Sequence, residues 1–315
     1  MLRRQRGNEA FFAGRAKDFF EVGRMKDNTK GMLLMLICPT IWSLSGLIAK
    51  VVPWPGICIA GFRGVLSGLT IYVYMRIMQI KPVFTWRTFF TGLTVTGTLL
   101  SYFASLKLIP AANAVALQYT EPVFLLVLNA VFLKQKYRRA DYAVVGMALL
   151  GVALLFMDGG LSDLGGSLLA LLSGLFYGMT YFLLTDRPTE ERLTGLLIGN
   201  TLAFVGIFTT DLSTLSISLP IVLIVLVSGL FQIAVPHIIL TKAMKLTTPL
   251  ACSLIATLEM VLNPIWVYIF IGEKPSARAL LGCVVIMAAV LIWCVYTARK
   301  EHDALAAEAL LEEKV

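Results

Sequence analysis

Long apolar runs separated by short polar connections dominate the pattern of this chain. Ten such runs lie at about 31–50, 56–76, 88–106, 110–133, 140–157, 164–185, 193–211, 219–240, 247–271 and 277–298. A helix that crosses the hydrocarbon core of a bilayer needs roughly 20 predominantly apolar residues, and most of the runs are about that long. The third run, which is rich in threonine, and the seventh give the weakest signals. The pattern predicts an all-α integral membrane protein with ten transmembrane helices.

The composition supports this interpretation. Of the 315 residues, 58% are hydrophobic and 15% are charged, and the mean hydropathy is +0.81. Soluble domains contain about 25% charged residues, so the composition argues against a pair of soluble domains. Residues 1–30 carry too many charges to resemble the apolar core of a signal peptide. Met25, just before the first apolar run, is a second candidate start.

The distribution of lysine and arginine predicts the orientation. If the N-terminus is cytoplasmic, the connections and tails on that side hold 22 of these residues and the opposite side holds four. We therefore expect a multi-pass protein of the cell membrane with a basic cytoplasmic N-terminal tail (1–30) and a cytoplasmic C-terminal tail (299–315). Basic loops facing the anionic inner leaflet account for the net charge of +8 without a nucleic-acid partner.

Two segments of the chain repeat. KLIPAANAVALQYTEPVFLLVLNAVFLKQK (107–136) aligns without a gap with KLTTPLACSLIATLEMVLNPIWVYIFIGEK (245–274), and both carry glutamate at the same position. Residues 30–50 similarly align with 165–185, which places Trp42 on Tyr177. We predict two five-helix repeats, 31–157 and 164–298. Because five is odd, the second repeat crosses the membrane in the opposite sense, and inverted repeats bind solutes where the halves meet.

These stretches, together with the number of predicted helices, resemble the EamA-type members of the drug/metabolite transporter superfamily. The resemblance covers about residues 31–298 and rests on KLIPAANAVAL…TEPVF and LEMVLNPIWVYIFIGE. It implies ten helices around a central cavity, alternating access, and the movement of a small metabolite. This chain departs from the family pattern where the second half reads Glu-Met, with its proline displaced to Pro264, and where the fourth helix ends in Lys-Gln. The two halves need not contribute equally.

Two acids, Glu121 and Glu259, are the only ones of 19 that lie deep in apolar runs. A carboxylate at this depth is costly unless it is paired or wetted, so intramembrane acids usually face a cavity. Glu121 is followed by Pro122, and Pro264 follows Glu259 by five residues. A proline inside a helix frees a carbonyl and kinks the axis. Both glutamates are therefore candidates for binding the solute and for carrying a proton, although each could instead be neutral and bonded to a neighbouring helix.

Glu259 is the stronger candidate because Asn263 and Trp266 lie on its face of the helix, at i+4 and i+7. Glu121 has Gln118 three residues before it. The side chains of Glu121, Gln118, Glu259, Asn263 and Trp266 are all candidate solute ligands.

Arg63 is the only cation that lies inside a predicted span away from its ends. Its guanidinium is expected to pair with a carboxylate, with helix-end carbonyls or with an anionic group of the solute, unless the side chain reaches the outer headgroups. Asn200 is its counterpart in the second repeat. His237, predicted near the cytoplasmic end of the eighth helix, is a third proton-carrying candidate, or is simply hydrogen-bonded.

Further polar and aromatic positions lie within the spans. The third run carries a polar stripe that includes Thr94, Thr98 and Tyr102, and Thr94 aligns with Gln232. This stripe lines a cavity or bonds neighbouring helices. Aromatic residues on a cavity wall would suit an organic cation, or they fill space between helices. The candidates are Trp42, Tyr119, Tyr177 and Tyr181.

The expected function is secondary active transport of an amino acid, an amine or a similar solute across the cytoplasmic membrane. Export is slightly favoured and coupling to protons is a hypothesis. The alternative is a passive channel or a non-transporting scaffold subunit. We find no metal-protease, phosphate-loop or catalytic-triad pattern, and the five cysteines show no CxxC spacing. No enzymatic activity, cofactor or metal is therefore expected, and the oligomeric state is left open.

Overall fold

A computed structural model of the chain describes residues 29–132, 134, 139–159, 163–185, 187–247, 252, 255–289, 291–292 and 295–296. The expectations for the N-terminal tail, Met25 and the C-terminal tail lie outside these residues. The described part is helical throughout, with no strand.

Six of its helices are long and apolar enough to cross a membrane. They are α1 (Thr29–Val51), α2 (Gly56–Ile77), α3 (Trp86–Leu108), α4 (Ala111–Phe132), α6 (Leu164–Leu184) and α8 (Leu219–Leu246). The threonine-rich third run, despite its weak signal, forms 23 residues of continuous helix. The chain is thus a multi-pass membrane protein.

Helices also lie in the other four apolar runs, and three of these four are shorter than the six above. They are α5 (Arg139–Gly159), α7 (Thr189–Leu202), α9 (Leu258–Ile271) and α10 (Ala277–Ala289). The seventh run tightens into a 3₁₀ helix over Ala203–Ile207. Within the described ranges, each predicted run therefore contains a helix, and the ten-helix membrane topology stays a prediction.

The helix ends follow from local sequence. Proline precedes the first residue of α2, α4 and α7, where its missing N–H and fixed φ cost nothing. Thr85 caps α3, because its hydroxyl accepts from the Thr88 backbone N–H while the Thr88 hydroxyl accepts from the Thr85 N–H. α9 ends at Gly272, whose φ of 81° is in the left-handed region that glycine adopts most readily.

Three of the long helices are irregular near the middle. α1 is interrupted at Ser43 and Leu44, α4 at Tyr119 and Thr120, and α8 contains a π-helical segment over Ser228–Ile233. Such irregular backbone at membrane depth occurs where protein or a cavity satisfies the freed groups.

The interruption of α4 changes the interpretation of its proline. The second part of α4 begins at Glu121, so Pro122 lies in a first helical turn and not in a helix interior. The bend arises in the turn before Glu121. In α9, by contrast, Pro264 does lie inside the helix. A turn at Thr257 likewise precedes Leu258, the first residue of α9. Glu121 is therefore the first residue of its helical segment and Glu259 is the second residue of its own.

The two ends of the bundle can be told apart by their connections. Lys50, Lys107 and Glu273 meet at one end, which we call the Glu273 end. At the opposite end, which we call the Leu184 end, Arg192 donates to the Leu184 carbonyl. α1 starts at the Leu184 end, with Gly31 beside Thr247, whereas α6 starts at the Glu273 end, with Gly166 beside Ile109. The first helices of the two repeats therefore run in opposite directions.

α3 packs most extensively against α6 and α7. α6 also packs against α4, and their close approach depends on two glycines of α6 spaced four residues apart. A Cβ at Gly174 or Gly178 would lie within 3 Å of the carbonyl oxygens of Gln118 and Glu121. Small-xxx-small spacing permits such contacts between membrane helices. α6 therefore packs directly on the interrupted turn of α4 that precedes Glu121.

Candidate functional site

A cavity of about 80 Å³ lies where α1, α2, α3, α4, α6, α8 and α9 meet. We call it the central cavity. Its polar lining includes Arg63, Tyr102, Gln118, Tyr177, Gln232 and Glu259. Three of these come from the first repeat and three from the second. The structure thus brings together six of the predicted site residues, from opposite halves of the chain.

A second cavity of about 40 Å³ adjoins it on the side of the Leu184 end, and we call it the inner cavity. Both are lined by Trp42, Thr98, Leu99, Tyr177 and His237. The inner cavity alone is lined by Tyr181 and by Leu184, Leu196 and Leu240. Together the two neighbouring cavities extend from the middle of the bundle toward the Leu184 end.

Glu259 is the most extensively hydrogen-bonded of the two predicted acids. Its Oε2 accepts from the Tyr119 hydroxyl at 2.9 Å and its Oε1 from the Ser45 hydroxyl at 3.3 Å. Asn263 Nδ2 donates to Ser45 Oγ at 3.0 Å and to Tyr102 Oη at 3.2 Å. The carboxyl group is buried yet lines the central cavity. It is therefore held in place by Ser45 of α1 and Tyr119 of α4 while still facing the cavity, and Tyr102 of α3 supports the network through Asn263.

Close packing of α1 on α9 creates this network. A Cβ at Gly46 would collide with the Asn263 amide oxygen. Only glycine at position 46 lets α1 approach closely enough for Ser45 to reach both Asn263 and Glu259. A side chain here would push α1 away and break two of the bonds.

Arg63 is 1% exposed and lines the central cavity. Its Nη2 donates to Gln232 Oε1, and the Phe103 ring lies 4.3 Å from its guanidinium carbon. Within the described part of the chain, Nε and Nη1 have no hydrogen-bond partner. The structure shows neither the predicted carboxylate partner nor a helix-end carbonyl at this guanidinium among the described residues.

Irregular backbone positions Gln232. The residue belongs to the π-helical segment of α8, and π-bulges recur at functional sites. Its amide nitrogen donates to the carbonyls of Ile41 and Trp42 at 3.1 and 2.9 Å, just before the interruption of α1. Gln232 therefore satisfies carbonyls of α1 with one end of its amide and holds Arg63 with the other.

Glu121 is buried but lines neither cavity. Its Oε1 has no hydrogen-bond partner within the described ranges. The repeat alignment explains the difference from Glu259. Thr180 is the counterpart of Ser45, but its hydroxyl lies 2.9 Å from Thr94 Oγ1 and from the Phe176 carbonyl oxygen, and no bond to Glu121 is seen among the described residues. The counterpart of Gly46 is the bulky Tyr181. The two glutamates match in sequence and differ in surroundings.

His237 lies deeper than the sequence predicted. α8 continues to Leu246, so His237 is nine residues, or about 13 Å, before its end rather than near it. The ring lines both cavities and packs edge-on against Trp42 at 5.9 Å between centroids. Its Nδ1 lies 3.3 Å from the Asn200 amide nitrogen.

The remaining predicted residues lie around the cavities. The Tyr177 and Tyr181 hydroxyls are 3.4 Å apart, and Gln118 donates to Ser173 Oγ at 2.9 Å. Trp266 lines neither cavity and donates to Ser43 at the interruption of α1.

Sequence reasoning missed two residues of the site, Ser45 and Phe103. The paired serines of Trp42-Ser-Leu-Ser45, inside an apolar run, were a signal for the first. Nothing in the sequence distinguished Phe103 from the many other aromatic residues of the spans.

An ion pair and several hydrogen bonds join helix ends at the Glu273 end of the bundle. Lys50 Nζ lies 2.9 Å from Glu273 Oε2, while Glu273 Oε1 accepts from the Ala111 backbone N–H at 2.7 Å. Lys107 donates to the Val52 carbonyl at 2.5 Å. These bonds join the ends of α1, α3, α4 and the connection after α9.

The comparisons with known proteins agree with this architecture. The profile of the EamA-like transporter family matches residues 29–157 and again residues 164–294. No curated protein sequence matches the chain. One solved structure, described only as a crystal structure of a protein, aligns with a TM-score of 0.61 at 18% identity, over 84% of this chain and 96% of that one. At this identity the likeness concerns the fold. Because the family profile covers most of the chain in two copies, this membrane protein belongs to the EamA-like transporter family.

Proposed function

We propose that the chain is a secondary active transporter that moves a small metabolite through the central cavity by alternating access. The observation that carries the proposal is the cavity itself. It lies at mid-bundle and is lined by polar groups of both repeats, with the ion-paired helix ends on one side and the inner cavity toward the Leu184 end. A site at the interface of inverted repeats is the arrangement that rocking of one repeat against the other requires.

We also propose which end of the bundle faces the cytoplasm. The lysine and arginine count favours a cytoplasmic Leu184 end, and the bonds between helix ends at the Glu273 end support a conformation closed to the outside. The solute is an amino acid, an amine or a similar compound, with export favoured over import. Glu259 is the leading proton carrier, because it alone of the two acids lines the cavity.

A solute screen followed by a flux assay tests the function. The purified protein is heated with amino acids, quaternary amines, nucleosides and sugars at pH 6 and pH 8. A ligand at 100 times its dissociation constant stabilises the folded state by about 2.7 kcal/mol. The solute that shifts the transition is then loaded into proteoliposomes. We expect saturable uptake of labelled solute that accelerates when unlabelled solute is present on the other side. Linear uptake without this acceleration would identify a channel, and no uptake would support a scaffold.

The ion pair between Lys50 and Glu273 is expected to bias the transporter toward the closed outer end. Its side chains are 20% and 25% exposed, and partly exposed pairs contribute about 0.2–1 kcal/mol. Glu273→Gln should therefore raise the population open to the outside by about 1.4-fold to fivefold. The measurement is the labelling rate of a cysteine at Leu99, in the central cavity, with an impermeant maleimide added outside.

The labelling uses a chain in which alanine replaces the five native cysteines. Lys274→Gln is the matched control, since it removes a charge from the same connection without touching the ion pair. Equal labelling rates in Glu273→Gln and in its parent would show that the ion pair does not hold the outer end closed.

A further inference from the structure

Arg63 is a fully buried cation whose hydrogen bonds are incomplete. A guanidinium has five N–H donors, and the three on Nε and Nη1 have no acceptor within the described part of the chain. Burying a charged donor without a partner is costly, so such a group in a native structure calls for an explanation. The side chain lines the central cavity, so a solute can supply the missing acceptor.

The surroundings of Arg63 hold its guanidinium in one orientation. Gln232 binds Nη2 and is itself fixed by two carbonyls of α1, while the Phe103 ring covers the guanidinium at 4.3 Å. A planar guanidinium stacked in this way keeps its edges free for an in-plane acceptor. A carboxylate fits this geometry because its two oxygens accept from neighbouring N–H groups of the fork.

Glu259 provides a carboxyl group in the same cavity. Among the described residues no ion pair joins it to Arg63, and Tyr102 and Ser45 connect it to the Arg63 side of the cavity through hydrogen bonds. One wall therefore offers cationic donors and another offers an anionic acceptor. The rest of the lining includes the apolar side chains of Leu99, Phe103 and Ile233, which can contact an apolar part of the solute.

We propose that Arg63 forms a carboxylate subsite and that the transported solute is a zwitterion, with its carboxylate on Arg63 and its ammonium group on Glu259. This inference rests on the proposed transport function and narrows its substrate class to amino acids with an apolar side chain. Arg63 then decides specificity, because a solute without a carboxylate leaves its donors unpaired.

A matched set of three compounds tests the subsite. L-Leucine is compared with 3-methylbutylamine, which lacks the carboxylate, and with 4-methylpentanoate, which lacks the ammonium group. Binding to the purified full chain is measured by calorimetry, after a thermal screen of the neutral amino acids from alanine to tryptophan; if another amino acid binds better, its own amine and acid replace the leucine set. Wild type should bind the amino acid at least about tenfold more tightly than either analogue, as expected for a charge-assisted hydrogen bond.

The Arg63→Gln variant should bind the amino acid and the amine with about equal affinity. Its affinity for the amine itself should stay close to that of wild type. Arg76→Gln, an exposed arginine near the end of the same helix, is the matched control and should keep the wild-type preference. Thermal unfolding without ligand checks that Arg63→Gln is folded.

Three results would overturn the inference. They are an unchanged preference in Arg63→Gln, equally tight binding of 4-methylpentanoate and the amino acid by wild type, and no binding across the amino-acid screen. The transport function is contradicted by a different result from those that contradict the subsite. Amino-acid binding that depends on Arg63 but gives no counterflow in proteoliposomes supports the subsite and contradicts the transporter. Counterflow of a sugar or a nucleoside would support the transporter and contradict the subsite.

Discussion

Replacing Glu259 by glutamine is expected to reduce transport by about 10-fold to 100-fold and to abolish its dependence on pH between 6 and 8. Glutamine has nearly the same size, so the variant keeps the packing of α9 on α1. It removes the negative charge and the group that takes up and releases a proton. The magnitude corresponds to the loss of hydrogen bonds to a charged group, about 1.5–3 kcal/mol. The loss of transport and of its pH dependence is measured from initial rates of uptake into proteoliposomes at pH 6 and pH 8.

Glu121→Gln is the control that the repeat provides. Glu121 occupies the aligned position and is equally buried, but it lines neither cavity. Its replacement should therefore reduce transport less than Glu259→Gln and leave the pH dependence in place. Wild-type rates in both variants would contradict the assignment of Glu259, and a larger loss in Glu121→Gln would transfer the role to the first repeat.

Replacing Thr98 by phenylalanine is expected to reduce transport to background while the protein stays folded. Thr98 lines both cavities, at the point where the central cavity joins the inner one. Its hydroxyl donates only to the Thr94 carbonyl of its own helix, at 2.9 Å, so the lost bond matters little. The larger ring should occupy the 80 Å³ of the central cavity and block the path. Uptake and thermal unfolding are measured on the same preparation.

Thr70→Phe is the matched control for this substitution. Thr70 also donates to a carbonyl of its own helix, that of Leu66 at 3.0 Å, and it lines neither of the two cavities. Overpacking costs typically 1–3 kcal/mol, about the same range for both variants. Normal uptake by a folded Thr98→Phe variant would mean that the solute takes another route.

The asymmetry of the two repeats links these expectations. The second repeat places Glu259 in a network with Ser45, Asn263 and Tyr119, whereas the first repeat leaves Glu121 Oε1 without a partner among the described residues. Arg63 likewise has the uncharged Asn200 as its counterpart. Each repeat thus contributes one main charged group to the central cavity, Arg63 from the first and Glu259 from the second. This division allows the two ends of one solute to be recognised by opposite halves.

The sequence by itself determined the location of the helices, the twofold repeat and the depth of Glu121 and Glu259. These features depend on hydrophobic periodicity and length, which are local properties of the chain. The resemblance to the family rested instead on the particular residues of KLIPAANAVAL…TEPVF and LEMVLNPIWVYIFIGE, and the family comparison confirms it.

Only the tertiary structure decided which glutamate faces the cavity. The sequence favoured Glu259 only through Asn263 and Trp266 on its own helix. The difference in surroundings arises from Gly46 and Ser45, which belong to a helix more than 200 residues away from Glu259. The π-helical turn that brings Gln232 to Arg63 and the turn before Glu121 were also not predictable. Irregular backbone in a membrane is stable only when other helices satisfy its freed groups, and those partners are set by packing rather than by the local sequence.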